Sequence, residues 1–294
     1  MNAKTDPPGG ALQKILRVTG RDPYALAGIA IYLIFGLTAL FANVIAPHDP
    51  LEILFLPDGR VAANQSPGGA FWLGTTNMGR DVFSQLVHGA RSALVVGLSA
   101  ALMVVIVGTL VGLFSGYFGG WVDSTLMRVG DIALSIPFLP FIIVLAAFLK
   151  PNVWNVVIGV AVLLWPNTGR IVRSQVLTLR ERSYVEAAKV SGASHLSILF
   201  THIAPNVLPI SFLYGSIVVG WAIFTEASVS FLGFGPTDSV SWGFMLQDAF
   251  VSQALSRGAY YWFLPSGACI MLMVSAGFFI SRGYEELLFP KLRD

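Results

Sequence analysis

Cysteine is nearly missing from this 294-residue chain: Cys269 stands alone, so no intrachain disulfide can form. Charge is scarce as well. Charged residues make up 12% of the chain, where a soluble domain has about 25%. Apolar residues reach 55% and the mean hydropathy is +0.71. No phosphate-cradling loop of the form GxxxxGK[ST] occurs, so any nucleotide that drives this protein must be bound by another chain. The four histidines, His48, His88, His195 and His202, have neither an HExxH setting nor a cysteine partner, and neither a metal site nor a cofactor is expected. No nucleophile with a matched base is recognisable, which argues against catalysis within the chain. A net charge of +2 gives no reason to invoke nucleic acid.

What the chain has instead is length without charge. Residues 23–48, 92–122, 132–149, 151–169, 190–225 and 258–281 hold no Asp, Glu, Lys or Arg. About 20 mostly apolar residues cross a hydrocarbon layer, so these runs predict an all-α bundle of six membrane spans near 25–46, 92–115, 132–149, 153–172, 208–232 and 260–281. Only Arg60, Arg80, Arg91, Lys150 and Arg257 of the 18 basic residues then fall on one side. Basic loops stay cytoplasmic, which predicts both termini inside. A cleaved leader ending at Val44-Ile45-Ala46 is disfavoured, because the apolar run before it is too long for a signal peptide. Residues 1–20, with Pro7, Pro8, Gly9 and Gly10, read as a polar mobile tail.

One long polar segment interrupts this pattern, SYVEAAKVSGASHLSILFTHIAPNVLP from Ser183 to Pro209. Ser183 with Glu186 three residues later predicts a capping box. Gly192 suits the left-handed position that closes a short helix. Ser194 predicts the cap of a second helix, expected to end before Pro205. Two short helices around a glycine bend, tied at both ends to spans, would form a rigid knob.

Other features are placed by spacing. Val82, Phe83, Leu86, Val87 and Ala90 share a helical face, predicting an elbow helix in the headgroup layer. Gly108, Gly112, Gly116 and Gly120 form a stripe for close helix packing, against a partner subunit or against another helix of this chain. Pro137, Pro140 and Pro166 are expected to bend the third and fourth spans, as a moving pathway or as plain architecture. Glu226 is an acid inside an apolar span, expected near the outer headgroups with a structural or gate-bracing role. A short outer helix is predicted near Phe244–Val251, with Trp242, Tyr260, Tyr261 and Trp262 in an interfacial aromatic belt.

Glu186-Ala187-Ala188, then Gly192, then Pro205 thirteen residues on, resemble the EAA loop of membrane subunits of ABC importers. The ending His202-Ile203-Ala204-Pro205 departs from the common Ile-x-Leu-Pro and is similar to the peptide and nickel branch, most like the second permease of such systems. Gly74–Arg91, Gly116–Asp131 and Thr225–Gly235 resemble the same family in the same order, from about Gly74 to the C-terminus. The resemblance implies a type I transmembrane domain, divided as a tail 1–24, a span 25–46, an extracytoplasmic segment 47–91 with its interfacial helix, a five-helix core 92–282 and a tail 283–294. It implies a cytoplasmic coupling loop at 173–207 and ATPase-docking roles for Ser183, Glu186, Ala187, Ala188, Gly192, His202 and Pro205. The implied partners are a second permease, two ATPase subunits that bind ATP and Mg, a solute-binding protein outside and membrane lipid, in a bacterial inner membrane. The implied cargo is a peptide, a nickel chelate or an oligosaccharide. An ATP-independent secondary transporter or channel is the alternative, and the scarcity of intramembrane charges for ion coupling stands against it.

Overall fold

A computed structural model describes residues 22–149, 152–236 and 239–288; the expected tail at 1–20 lies outside them. Among these residues the structure is helical, with only three isolated β-bridges, all in one loop. Helix α1 (Pro23–Leu40) starts where Asp22 accepts the Ala25 N–H at 2.8 Å and Pro23 needs no donor. A short turn of helix, α2 (Ala42–Ile45), follows, and Pro47 ends the run. The loop 46–81 folds back through bridges Phe55–Val61, Gly68–Phe71 and Thr75–Asp81.

Helix α3 (Val82–Phe118) is unbroken over 37 residues, about 55 Å at ~1.5 Å per residue. The Asp81 carboxylate caps it, accepting the Ser84 N–H at 2.8 Å. The elbow helix expected in the headgroups is therefore the first part of this span. Its apolar face is buried by protein: Val82, Val87 and Ala90 are shielded, and the Trp242 indole lies on Gly89 and donates to the Leu86 carbonyl at 2.9 Å. Trp242 and Trp262 are accordingly core residues rather than members of an interfacial belt, while Tyr260 is exposed.

Gly119 and Gly120 both take positive φ, 64° and 53°, and reverse the chain into α4 (Gly120–Ser135). The third apolar run is broken: α4 and α5 (Phe138–Phe148) meet at 81°. Pro137 has no N–H and holds Ile136 extended at φ −81°, ψ 128°. Pro140 sits in the first turn of α5, where its missing donor costs nothing, so it does not bend the helix as expected. Counting the bent pair as one span, six helical units among the described residues are long and apolar enough to cross a membrane.

Helix α6 (Val153–Leu179) carries Pro166 within it and runs past the expected end at 172. It is followed by α7 (Ser183–Val190), one turn α8 (His195–Ser197), a π-helical stretch Ile198–Ile203, and α9 (Ala204–Phe231). Helix α10 (Trp242–Val251) forms where a short helix was expected, and α11 (Tyr260–Leu288) completes the bundle.

The closest packing joins α3 to α6. A Cβ on Gly108, Gly112 or Gly116 would lie 2.8 Å from Thr168 Cβ, 2.6 Å from the Gly169 carbonyl oxygen and 2.8 Å from Val176 Cβ. The glycine stripe thus faces a helix of its own chain, and α3 and α6 run parallel. Gly120 is not part of it, since the turn at Gly119 places it in open space.

Candidate coupling segment and helix break

The polar segment gathers at one end of the bundle with the ends of α3, α4 and α6. Helix α7 is closed by a Schellman motif: Ala193 N–H reaches Ala188 O at 3.1 Å and Gly192 N–H reaches Lys189 O at 3.0 Å. Gly192 has φ +78°, as its position demanded. The capping box does not form. Arg182 is the extended capping residue, without a side-chain bond, and Ser183 is already helical, so its hydroxyl cannot serve the first-turn N–H groups. Glu186 is instead an exposed acid near the helix start, where the dipole favours it.

Ser194 does cap α8, accepting the Ser197 N–H at 3.3 Å. That helix does not stop before Pro205. The wider π turn passes directly into α9 and leaves Pro205 in the first turn of the α-helical part, where no donor is required. The knob is therefore one free helix followed by the root of a span.

Only Val185 of α7 is fully buried, in a cluster with Leu113, Val172, Val176, Ile198 and Ile203. Glu186 and Ala187 face outward and Ala188 is half-buried. Val190 is 90% exposed and Leu196 56%. His202 is half-buried, its carbonyl accepting from Asn206 Nδ2 at 2.7 Å. His195 Nδ1 lies 3.0 Å from the Tyr117 hydroxyl, tying α8 to the end of α3.

Charged groups brace this end. Arg173 donates to both Asp123 oxygens at 2.5 Å, a bidentate link from α6 to the start of α4. Arg170 pairs with Asp131, again between α6 and α4. The Arg180 guanidinium donates to Gly116 O at 3.0 Å. Sequence reading missed these pairs, because partners 39 and 50 residues apart leave no local spacing signal.

At the opposite end, Glu226 is 2% exposed, buried by protein. Ser230 Oγ donates to it at 2.7 Å and the Ser241 hydroxyl bonds it too. Ser241 also caps α10, accepting the Phe244 N–H at 3.2 Å, and Gly243 packs on the backbone of Ala227. Glu226 thereby ties the end of α9 to the start of α10. Pro137 and Pro166 lie apart from it, beside a cavity of about 380 Å³ between the α4–α5 break, α6 and α9.

The sequence profile of the binding-protein-dependent transport system inner membrane component matches residues 108–294. A dipeptide transport system permease protein, DppC, of Alkalihalophilus pseudofirmus is 35% identical over 93% of this chain and 88% of its own length. An oligopeptide transport system permease protein, OppC, of Bacillus subtilis is 34% identical over 92% and 86%. A glutathione transport system permease protein, GsiD, of Pectobacterium atrosepticum is 34% identical over 91% and 87%. The chain therefore belongs to the inner membrane components of binding-protein-dependent transport systems, as a multi-pass permease subunit of an ABC importer on the peptide branch.

Proposed function

We propose that this chain pairs with a second permease to form the path of an importer powered by two ATPase subunits, which bind ATP and Mg and leave this subunit non-catalytic. A solute-binding protein outside delivers the cargo. Relatives named for dipeptides, oligopeptides and glutathione favour a short peptide over a nickel chelate or an oligosaccharide. The observation that carries the reading is the exposed helix Ser183–Val190, closed at Gly192 and anchored by buried Val185 with half-buried Ala188 beside it. Its outward Glu186 and Ala187 meet the ATPase, while Ala188, Gly192, His202 and Pro205 set its angle to α9. Because the π stretch makes α8 continuous with α9 and the Gly192 turn to α7 is short, tilting α7 moves a span rather than a slack loop. The sorting of basic residues supports both termini and this helix lying in the cytoplasm. Glu226 is the clasp of the outer side, keeping α10 on α9 as the path opens and closes.

A cysteine at Ala187, in a chain with Cys269→Ser, tests the reading. It should cross-link to an ATPase subunit and resist an impermeant thiol reagent added outside intact cells. Labelling from outside with no cross-link would overturn both the orientation and the docking role.

A further inference from the structure

Two apolar runs of the sequence meet at one place. The charge-free stretch through α1 and α2 stops at Asp49, and that of α3 begins after Arg91, so both residues stand at the rim of the apolar band. The structure brings them to one polar cavity of about 370 Å³, between α2, the turn that follows it and the first part of α3. A second cavity of about 360 Å³ adjoins it, sharing Asn43, Asp49 and His88 and adding Glu52.

The charges gathered here do not neutralise one another. The Arg91 guanidinium donates through Nε to the Ala39 carbonyl at 2.7 Å and through Nη1 to Asn43 Oδ1 at 2.9 Å. Both acceptors are neutral, and neither bond uses Nη2. His88 Nε2 lies 3.3 Å from the same Asn43 oxygen, so the basic wall is fixed in place by the fold itself. Asp49 accepts the Leu51 N–H at 2.9 Å through one carboxylate oxygen, which sets its direction. Glu52 is exposed. Among the described residues neither acid forms an ion pair with a base, and Arg91 forms none with an acid.

A cation and two anions left unpaired around one cavity suit a ligand that carries both signs. A guanidinium takes phosphate oxygens through parallel N–H bonds, and an ammonium answers Asp49 and Glu52. A purely anionic ligand would meet two carboxylates, and a purely cationic one would meet Arg91.

Position selects the source. Val95, Leu98 and Leu102 lie four, seven and eleven residues beyond Arg91 on the same face of α3, and all three are exposed. Leu33 and Leu40 are exposed on α1, which packs beside α3 and leads to the cavity. An apolar surface therefore runs from the charged cavity into the hydrocarbon layer, and an arginine at the end of a span reaches the level of lipid phosphates. A dipeptide carries the same two charges but has no tail to cover that surface.

We propose that this cavity holds the headgroup of one phosphatidylethanolamine molecule. Its phosphate sits on Arg91, its ammonium on Asp49 and Glu52, and an acyl chain lies along Val95, Leu98 and Leu102. The lipid ties the turn after α2 to α3. The inference needs the membrane spans only, not the coupling role of α7.

Native mass spectrometry and thermal scanning of the purified complex with its partner subunits, given equal amounts of phosphatidylethanolamine and phosphatidylglycerol, provide the test. Asp49→Asn with Glu52→Gln removes both acid charges and keeps an oxygen for the Leu51 N–H. The wild type should retain one more phosphatidylethanolamine per complex than this variant, and the preference for that lipid over phosphatidylglycerol should fall several-fold in the variant. Phosphatidylethanolamine should also raise the unfolding temperature of the wild type more than that of the variant. Arg91→Gln should lose both lipids at this site. Because Arg91 also bonds α1, the acid variant carries the test if Arg91→Gln fails to fold. Equal retention by wild type and acid variant would overturn the proposal, leaving only lipid that coats the bundle. A stabilising shift from a soluble dipeptide that phosphatidylethanolamine does not reproduce would overturn it too, by assigning the cavity to a peptide.

Discussion

Gly192 carries the tightest constraint of any single residue in the knob, for it alone permits the Schellman closure at φ +78°. A β-branched residue there is strained by roughly 1–2 kcal/mol or more. Gly192→Val should therefore leave the protein in the membrane yet uncouple ATP hydrolysis from uptake, as measured by ATPase rate against solute accumulation. Unchanged transport would count against α7 as the transmitting helix. Glu226 differs, since its buried carboxylate accepts from two hydroxyls, those of Ser230 and Ser241. Glu226→Gln keeps an acceptor and should stay near wild type, whereas Glu226→Ala strands buried partners at a cost of about 1–3 kcal/mol. Thermal stability of the purified complex compares the two. Asp248, outside the spans, has its carboxyl pushed above the usual range by burial, with Arg80 opposing the shift. A raised carboxyl favours the folded state while protonated, so stability is lost as pH rises from the unfolded value through the folded one. Asp248→Asn should flatten that part of the pH–stability curve, and an unaltered curve would exclude Asp248 as its source.

Among the elements, the π stretch Ile198–Ile203 matters most, because it makes α8 and α9 one continuous helix, the lever of the proposed coupling. Inserting one alanine after Asn206, in the α-helical root of α9, should rotate α7 relative to the rest of α9 by about 100°. Uptake should vanish while membrane insertion, followed by fractionation, persists. Normal uptake would mean the lever is slack. The interior stripe can be tested in the same way. Gly112→Leu drives a side chain against the Gly169 carbonyl and Val172, and overpacking of this kind costs about 1–3 kcal/mol. Much of the candidate site was legible at this scale: the closing glycine, the Ser194 cap and the short helix near Phe244–Val251 all follow from local chemistry. The capping box was not, because the turn after Leu179 starts α7 one residue earlier than Ser183 and Glu186 suggest.

For the whole molecule, assembly carries the main consequence. A second permease should stabilise this chain by mass action, since a partner that binds only the folded form shifts the equilibrium toward it. The chain purified alone in detergent should unfold at a lower temperature than the same chain held with a second permease, measured by thermal scanning of each. Equal temperatures would mean that the folded chain gains nothing from such a partner.

Composition alone determined that this is a membrane protein of several helices, because transfer of long uncharged runs out of water depends on residue type and hardly on neighbours. Local punctuation, in Gly192 and Ser194, likewise acts within one turn and was readable in place. Tertiary structure decided the rest. Whether the glycine stripe met its own chain, whether Trp242 lay in headgroups or core, and which acid found which arginine all depend on segments distant in the chain being brought within a few ångströms. Hydrophobic period records that a face is covered, but not by what.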